Sequence, residues 1–195
     1  KKSSQKIAYF QPLTILEIEA NHKNKGTLEH IKEIKLASAY HSINTDVIKS
    51  TIAIFTSEIL HHSIHEEEKN ENLFSFLETA LLWLDTHDEA ANFHLILMLE
   101  MTKFLGFYPD VSEIDFDFFD VKEGFFTPFQ SVNTLSAHET QLFKRLIELK
   151  FDSNQKTFAG IERQILLKIL LDFYTLHLEG FKKPKSLEVL KEVFS

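Results

Sequence analysis

The side chains best suited to ligating a metal gather at His61, His62, His65, Glu66, Glu67 and Glu68. His61 and His65 stand four apart, so one helix would carry both on a single face, as paired zinc ligands often are. No third ligand follows at a fixed spacing, and the run reads as a helix end entering a charged, solvated loop. A second set, Asp115, Asp117, Asp120 and Glu123, invites calcium or magnesium. Its D-x-D-x-x-D spacing lacks the glycine and terminal glutamate of a helix–loop–helix calcium site. Phe116, Phe118 and Phe119 interleave with these acids, as along an alternating strand. No metal site and no cofactor is therefore assigned. Covalent catalysis has no better basis. The chain contains no cysteine, no G-x-S-x-G and no glycine-rich phosphate loop. Ten histidines can always be combined with serines and aspartates, but no context marks such a set. No catalytic residue is assigned, and an enzyme is unsupported.

Binding has more to work with. Lys1, Lys2, Lys6, Lys23, Lys25, Lys32 and Lys35 fall in the first part of the chain, near Tyr9 and Phe10. Cations along a sheet edge with aromatics beside them can track a nucleic-acid strand, each stacked base contributing ~1–3 kcal/mol. The same lysines would equally form a solvated face. A second basic stretch, Phe181-Lys182-Lys183-Pro184-Lys185, follows a long helical pattern. It could take phosphate or an acidic peptide tail, or simply place cations at the negative pole of a helix.

The charge is unevenly spread. Residues 1–49 hold eight lysines and five acids, residues 50–140 three lysines and seventeen acids, and residues 141–195 ten basic residues and seven acids. Both ends are basic and the middle is strongly acidic, so the net charge of −8 does not exclude nucleic acid, which responds to local potential. It does argue against a protein that coats DNA with its whole surface. The 195 residues, 44% apolar and 26% charged, suit one domain or two small ones with a sizeable core. The absence of cysteine fits a reducing cytoplasm. No signal peptide or membrane span is visible.

The elements that must position these residues follow from periodicity. Residues 7–19 and 28–39 alternate as strands and form a hairpin, with Pro12 marking a bend or an edge. From residue 44 the period becomes helical, with Asn44 or Thr45 as cap and Val47, Ile48, Ile52, Phe55 and Ile59 as the stripe. Glu71–Thr86 is a second helix. Phe93–Leu105 is apolar on nearly every side, so it must be surrounded by other elements. Thr86 or Asp88 could cap it, Gly106 suits its left-handed end, and Pro109 blocks continuation. Residues 111–130 read as irregular, with a short hairpin around Lys122-Glu123-Gly124. Ser136-x-x-Glu139 is a capping box for a helix to about Lys150. A long helix runs from Gly160 to Leu178, and Ser186 caps a last short one. The expected fold is α+β, mainly α: a short β section followed by five or six helices.

Several stretches together resemble the RecO family of bacterial DNA repair and recombination mediators. Gln11-Pro12-Leu13-Thr14-Ile15-Leu16-Glu17 resembles its QPF-T-L-L-E strand, and Leu28-x-x-Ile31-Lys32-Glu33 its next strand. Glu66–Leu73 is similar to its acidic link, E-E-E-x-N-x-x-L/F. Leu99–Asp110 resembles L-L-x-x-L-G-Y-x-P-D, with Phe107 in place of tyrosine. His177–Ser186 resembles the ending H-L-G-x-K-x-x-K-S. The resemblance covers nearly the whole chain in order.

It implies a partial oligonucleotide/oligosaccharide-binding (OB) fold over residues 1–43 and a helical domain over residues 44–195. The match begins partway through the OB-fold, as though the chain starts inside a longer product. The implied activities are binding of single- and double-stranded DNA, strand annealing, and help in loading RecA onto DNA coated by the single-stranded-DNA-binding protein. The implied partners are RecR and the acidic C-terminal tail of that coating protein, with no membrane involved. Lys1, Lys2, Lys6, Lys23, Lys25, Lys32 and Lys35 would then contact DNA, and Phe181, Lys182, Lys183 and Lys185 would contact DNA or the acidic tail. Many members carry four cysteines as a zinc site after the G-Y-x-P-D turn. Here that region has none, and Phe116, Phe118, Phe119, Phe125, Phe126 and Phe129 are expected to pack in its place. The rival reading is a helical scaffold that works through protein contacts and never touches DNA.

Overall fold

The computed structural model describes residues 9–21, 31–64, 69–152 and 157–194. In chain order the elements are β1 (Leu16–Ala20), β2 (Ile31–Leu36), α1 (Val47–Ser63), α2 (Glu71–Thr86), α3 (Phe93–Leu105), β3 (Phe118–Asp120), β4 (Phe125–Thr127), α4 (Ala137–Glu148), α5 (Gly160–His177) and α6 (Leu187–Val193). The fold is α+β and mainly α, with two separate two-stranded antiparallel sheets, β1–β2 and β3–β4.

α3 is the centre. Its sequence has too few polar positions to leave a wet face, and Phe93, Leu95, Ile96, Leu97, Met98, Leu99 and Met101 are all buried. α1, α2, α4 and α5 surround it. Tyr174 of α5 reaches in and donates its hydroxyl to the Met98 carbonyl at 2.7 Å, which satisfies a group that burial would otherwise penalise. His94 is also enclosed, beside the rings of Phe55 and Phe194. Burial first, and then the nearby Arg163 charge, press its pKa down to about 3, so it stays neutral at physiological pH. Gly106 ends the helix at φ 83° as expected; this left-handed position is open to glycine without the Cβ penalty of other residues.

Side-chain caps open α1, α2 and α4, and three helix starts differ from the sequence expectation. α1 is capped by Asp46, whose side chain accepts from the Lys49 amide at 2.9 Å. Thr45 instead turns its hydroxyl to the Ser42 carbonyl, so neither Asn44 nor Thr45 is the cap. α3 begins after Asn92, because Thr86 still belongs to α2 and bonds the Leu82 carbonyl. Ser186 precedes α6, but its hydroxyl goes to Glu58 rather than to the helix. The Ser136/Glu139 box forms as read, and α4 stops at Glu148.

The β section also differs in part. The described residues 10–13 form turns and bends rather than a strand. Pro12 has no amide for a ladder, and Thr14 closes a turn onto the Gln11 carbonyl through both its amide and its hydroxyl. Leu13 sits at φ 61°, a left-handed conformation costing about 1 kcal/mol for such a residue. Tyr40 holds it there by donating its hydroxyl to the Leu13 carbonyl at 2.7 Å.

Candidate nucleic-acid interface

The β1–β2 register separates two faces. Leu16 opposes Leu36 and Ile18 opposes Ile34 on one; Glu17 opposes Lys35 and Glu19 opposes Glu33 on the other. A bulge at Glu19/Ala20 interrupts the register and leaves Lys32 facing Glu19, Nζ to Oε1 at 3.1 Å. Lys35 lies 3.1 Å from Glu33, and the hydrogen bond to that carboxylate raises its pKa. Both described lysines of the β section are thus paired with glutamates on their own hairpin. Lys1, Lys2, Lys6, Lys23 and Lys25 lie outside the described residues. Phe10 is exposed and Tyr9 half-buried.

Where the hairpin enters the helical body, Asp85 provides a seat. Its carboxylate accepts from the amides of His41 and Ser42, each at 2.8 Å, and of Ile43 at 3.0 Å. Lys49 adds a bond from Nζ to the Asp85 carbonyl at 3.1 Å. Burial works to raise the Asp85 pKa, but the convergent amides outweigh it and hold the carboxyl below its usual range. No motif in the sequence singles out Asp85. One signal was available: an acid in the last turn of a helix opposes the macrodipole, so it persists only if other donors hold it.

The C-terminal connector is rigidly mounted. Phe181 is buried, 5.2 Å from the Tyr174 ring and edge-on to His62 at 6.4 Å. Pro184 is buried as well. Glu58 of α1 accepts from the amide of Ser186 at 2.9 Å and from its hydroxyl at 2.8 Å. Burial pushes the Glu58 pKa up, and these bonds together with the Lys185 amide overcome it, leaving the carboxyl lowered. Lys183 pairs with Asp172 at 2.8 Å, and Lys168 approaches the other oxygen of the same carboxylate at 3.6 Å. Lys182 and Lys185 are exposed and have no acidic partner among the described residues. The structure therefore uses Phe181 and Lys183 to hold the connector and leaves Lys182 and Lys185 as its available cations.

The candidate ligand sets resolve differently. His61 and His62 are adjacent at the end of α1, ring centroids 5.1 Å apart, and His62 faces Phe181. His65, Glu66, Glu67 and Glu68 lie outside the described residues. Asp120 caps a turn, accepting from the amides of Lys122 and Glu123 at 3.0 Å. The short hairpin around Lys122–Gly124 forms as expected, with Gly124 at φ 78°. Of the six phenylalanines expected to pack there, Phe119 and Phe126 do so, 4.9 Å from each other and Phe119 4.8 Å from Phe143. Phe116, Phe125 and Phe129 are exposed instead. For Phe125, and for Phe118, which is half-buried, the reason is the alternation of a two-stranded sheet, only one face of which meets the core; Phe116 and Phe129 lie outside the strands.

Comparison with known proteins bears on the whole chain. Residues 44–188 match the family described as "Recombination protein O C terminal". A "DNA repair protein RecO" of Flavobacterium psychrophilum is 71% identical over 100% of this chain and 82% of its own length. The chain belongs to the RecO family. Its similarity extends to a RecO of Flavobacterium johnsoniae at 67% identity and to one of Christiangramia forsetii at 40%, each over 100% of this chain and 82% of the relative. RecO membership supports a role in DNA repair and recombination. No helix among the described residues is long and apolar enough to cross a membrane.

Proposed function

We propose that this RecO chain is a non-enzymatic mediator of homologous recombination in the cytoplasm. It binds single- and double-stranded DNA, anneals complementary strands, and assists loading of RecA onto DNA coated by the single-stranded-DNA-binding protein. Its partners are RecR and the acidic tail of the coating protein. The family match over the full chain carries this reading. Residues 1–43 serve as part of an OB-fold and residues 44–195 as the helical domain.

The geometry adds a choice among cations. Lys182 and Lys185 have no acidic partner among the described residues and stand on a connector fixed at Phe181 and Ser186, so phosphate or carboxylate contact there breaks no ion pair among those residues. Lys32 and Lys35 must first leave Glu19 and Glu33. Contact through the connector is therefore assigned first to Lys182 and Lys185, and contact through the β section to Lys1, Lys2, Lys6, Lys23, Lys25, Lys32 and Lys35. The test is a salt series of single-strand binding by the parent and by the Lys182→Ala/Lys185→Ala double variant. Two lost phosphate contacts should flatten the slope of log affinity against log salt by about 1.4. An unchanged slope, with an acidic tail peptide bound equally well, removes the connector from the interface. No binding of DNA by the parent at low salt sinks the DNA reading itself.

A further inference from the structure

The outward face of β3–β4 has no use in the reading above. The ladder pairs Phe118 with Thr127, Phe119 with Phe126 and Asp120 with Phe125. Phe119 and Phe126 point to the core, so Phe118, Asp120, Phe125 and Thr127 share the opposite face. On it Phe125 is 43% exposed, and in the flanking residues Phe129 is 77% and Val132 100% exposed. Nothing in the folding of the described chain requires large apolar groups in these places. The face is also held rigid at both edges. Asp110 bridges to Phe125 on one side and donates its amide to the Gly124 carbonyl at 2.8 Å; Thr134 bridges to Asp120 on the other, where the Leu135 amide reaches the Phe119 carbonyl at 2.9 Å. With each edge already bridged at one residue, the face offers a partner more room than either edge.

Charge selects the partner. Residues 110–123 contain six acids and one lysine. Glu113, Asp115, Asp117 and Glu123 are exposed and have no ion-pair partner among the described residues. Such a field repels phosphate and attracts ammonium and guanidinium groups. We propose that the outward face of β3–β4, with Phe116, Phe125 and Phe129, is a docking surface for a basic protein segment in which arginine or lysine alternates with apolar side chains. The apolar groups of the segment cover the phenylalanines, and its cations meet the unpaired acids around them. A rigid, uncovered surface loses little freedom on binding.

The test titrates the protein with a labelled synthetic peptide alternating arginine and leucine, with a glutamate–leucine peptide as control, by fluorescence anisotropy. The arginine peptide should bind at least about tenfold tighter than the control. Phe125→Ser/Phe129→Ser should weaken it by about tenfold without lowering the melting temperature, since both side chains are exposed. Asp115→Asn/Asp117→Asn/Glu123→Gln should weaken it and flatten its salt dependence. Peptide binding should slow amide exchange within residues 116–132, and Lys182→Ala/Lys185→Ala should leave it unchanged. Equal binding by either surface variant, equal binding of the glutamate peptide, or protection elsewhere overturns the proposal. So does loss of DNA binding in Phe125→Ser/Phe129→Ser, which would make the face part of the nucleic-acid surface.

Discussion

The two hairpins of this RecO chain are held in opposite ways. β1–β2 is the longer, with five paired positions, yet Ile18 and Leu36 on its apolar face remain 48% and 45% exposed. Lys32 and Lys35 are paired with glutamates within it, and beside it the buried Asp85 carboxylate holds the amides of residues 41–43 while Ile15 and Tyr40 pack at its base. β3–β4 has three paired positions, yet Phe119 is fully buried between Phe126, Phe143 and Phe173. An isolated hairpin is marginal in water whatever its length. What fixes each one is the surface it meets, hydrogen bonds in the first case and aromatic packing in the second.

That contrast can be broken most sharply at Phe119. Phe119→Ala should destabilise the protein by about 3–5 kcal/mol in chemical denaturation, because the cavity would lie at the junction of β3–β4 with α4 and α5. A loss below about 1 kcal/mol would mean that the aromatic packing is not what holds the hairpin. Asp85→Ala should come next, at about 2–4 kcal/mol, since it leaves three amides without their acceptor. Its mark should be local: faster amide exchange at residues 41–43 and in β2, with β3–β4 unaffected. The effect is also pH-dependent. The folded carboxyl titrates below the unfolded one, so its stabilisation is complete above about pH 4 and is lost as pH falls through the folded value. The stability difference between the parent and Asp85→Asn should therefore shrink on acidification; a difference that grew instead would contradict the assignment. Smallest is Ile18→Ser, within about 0.5 kcal/mol of the parent, because half of that side chain is already in water. A loss of several times that size would show that the apolar face of β1–β2 is covered.

Much of the helical body was legible because its signals are local. The all-round apolar pattern of Phe93–Leu105 implied a central helix, and α3 is central. Ser136 and Glu139 stand three apart and form their box regardless of the rest of the chain. Gly106 and Gly124 take left-handed backbone where a turn required it. The misreadings were also local, but in competition. Thr45 and Asp46 could both cap α1, and the choice fell to Asp46 because Thr45 bonds back to Ser42. Residues 7–19 are expected as strand, but in the described part before β1 Pro12 and the Gln11–Thr14 turn prevail.

The candidate interface was legible only as a list of lysines. The charges and their rough location were present in the sequence; their availability was not. Lys183 is held by Asp172 and Lys35 by Glu33, while Lys182, one residue from Lys183, has no acidic partner among the described residues. Likewise Phe181 reads as an exposed aromatic beside cations and is in fact buried against Tyr174.

By itself, then, the sequence determined the helices, the Gly106 end of α3 and the Ser136 start of α4, the acidic middle and the family resemblance, because each rests on residue types repeated or paired within a few positions. Only the tertiary structure decided which cations face solvent, which phenylalanines are left outside, and how the β section is seated. Those outcomes depend on partners far apart in the chain. Asp85 meets amides 42 to 44 residues away, and Glu58 meets Ser186 across 128. No local pattern encodes such pairs, since the free energy that selects them comes from the burial of the whole core around α3.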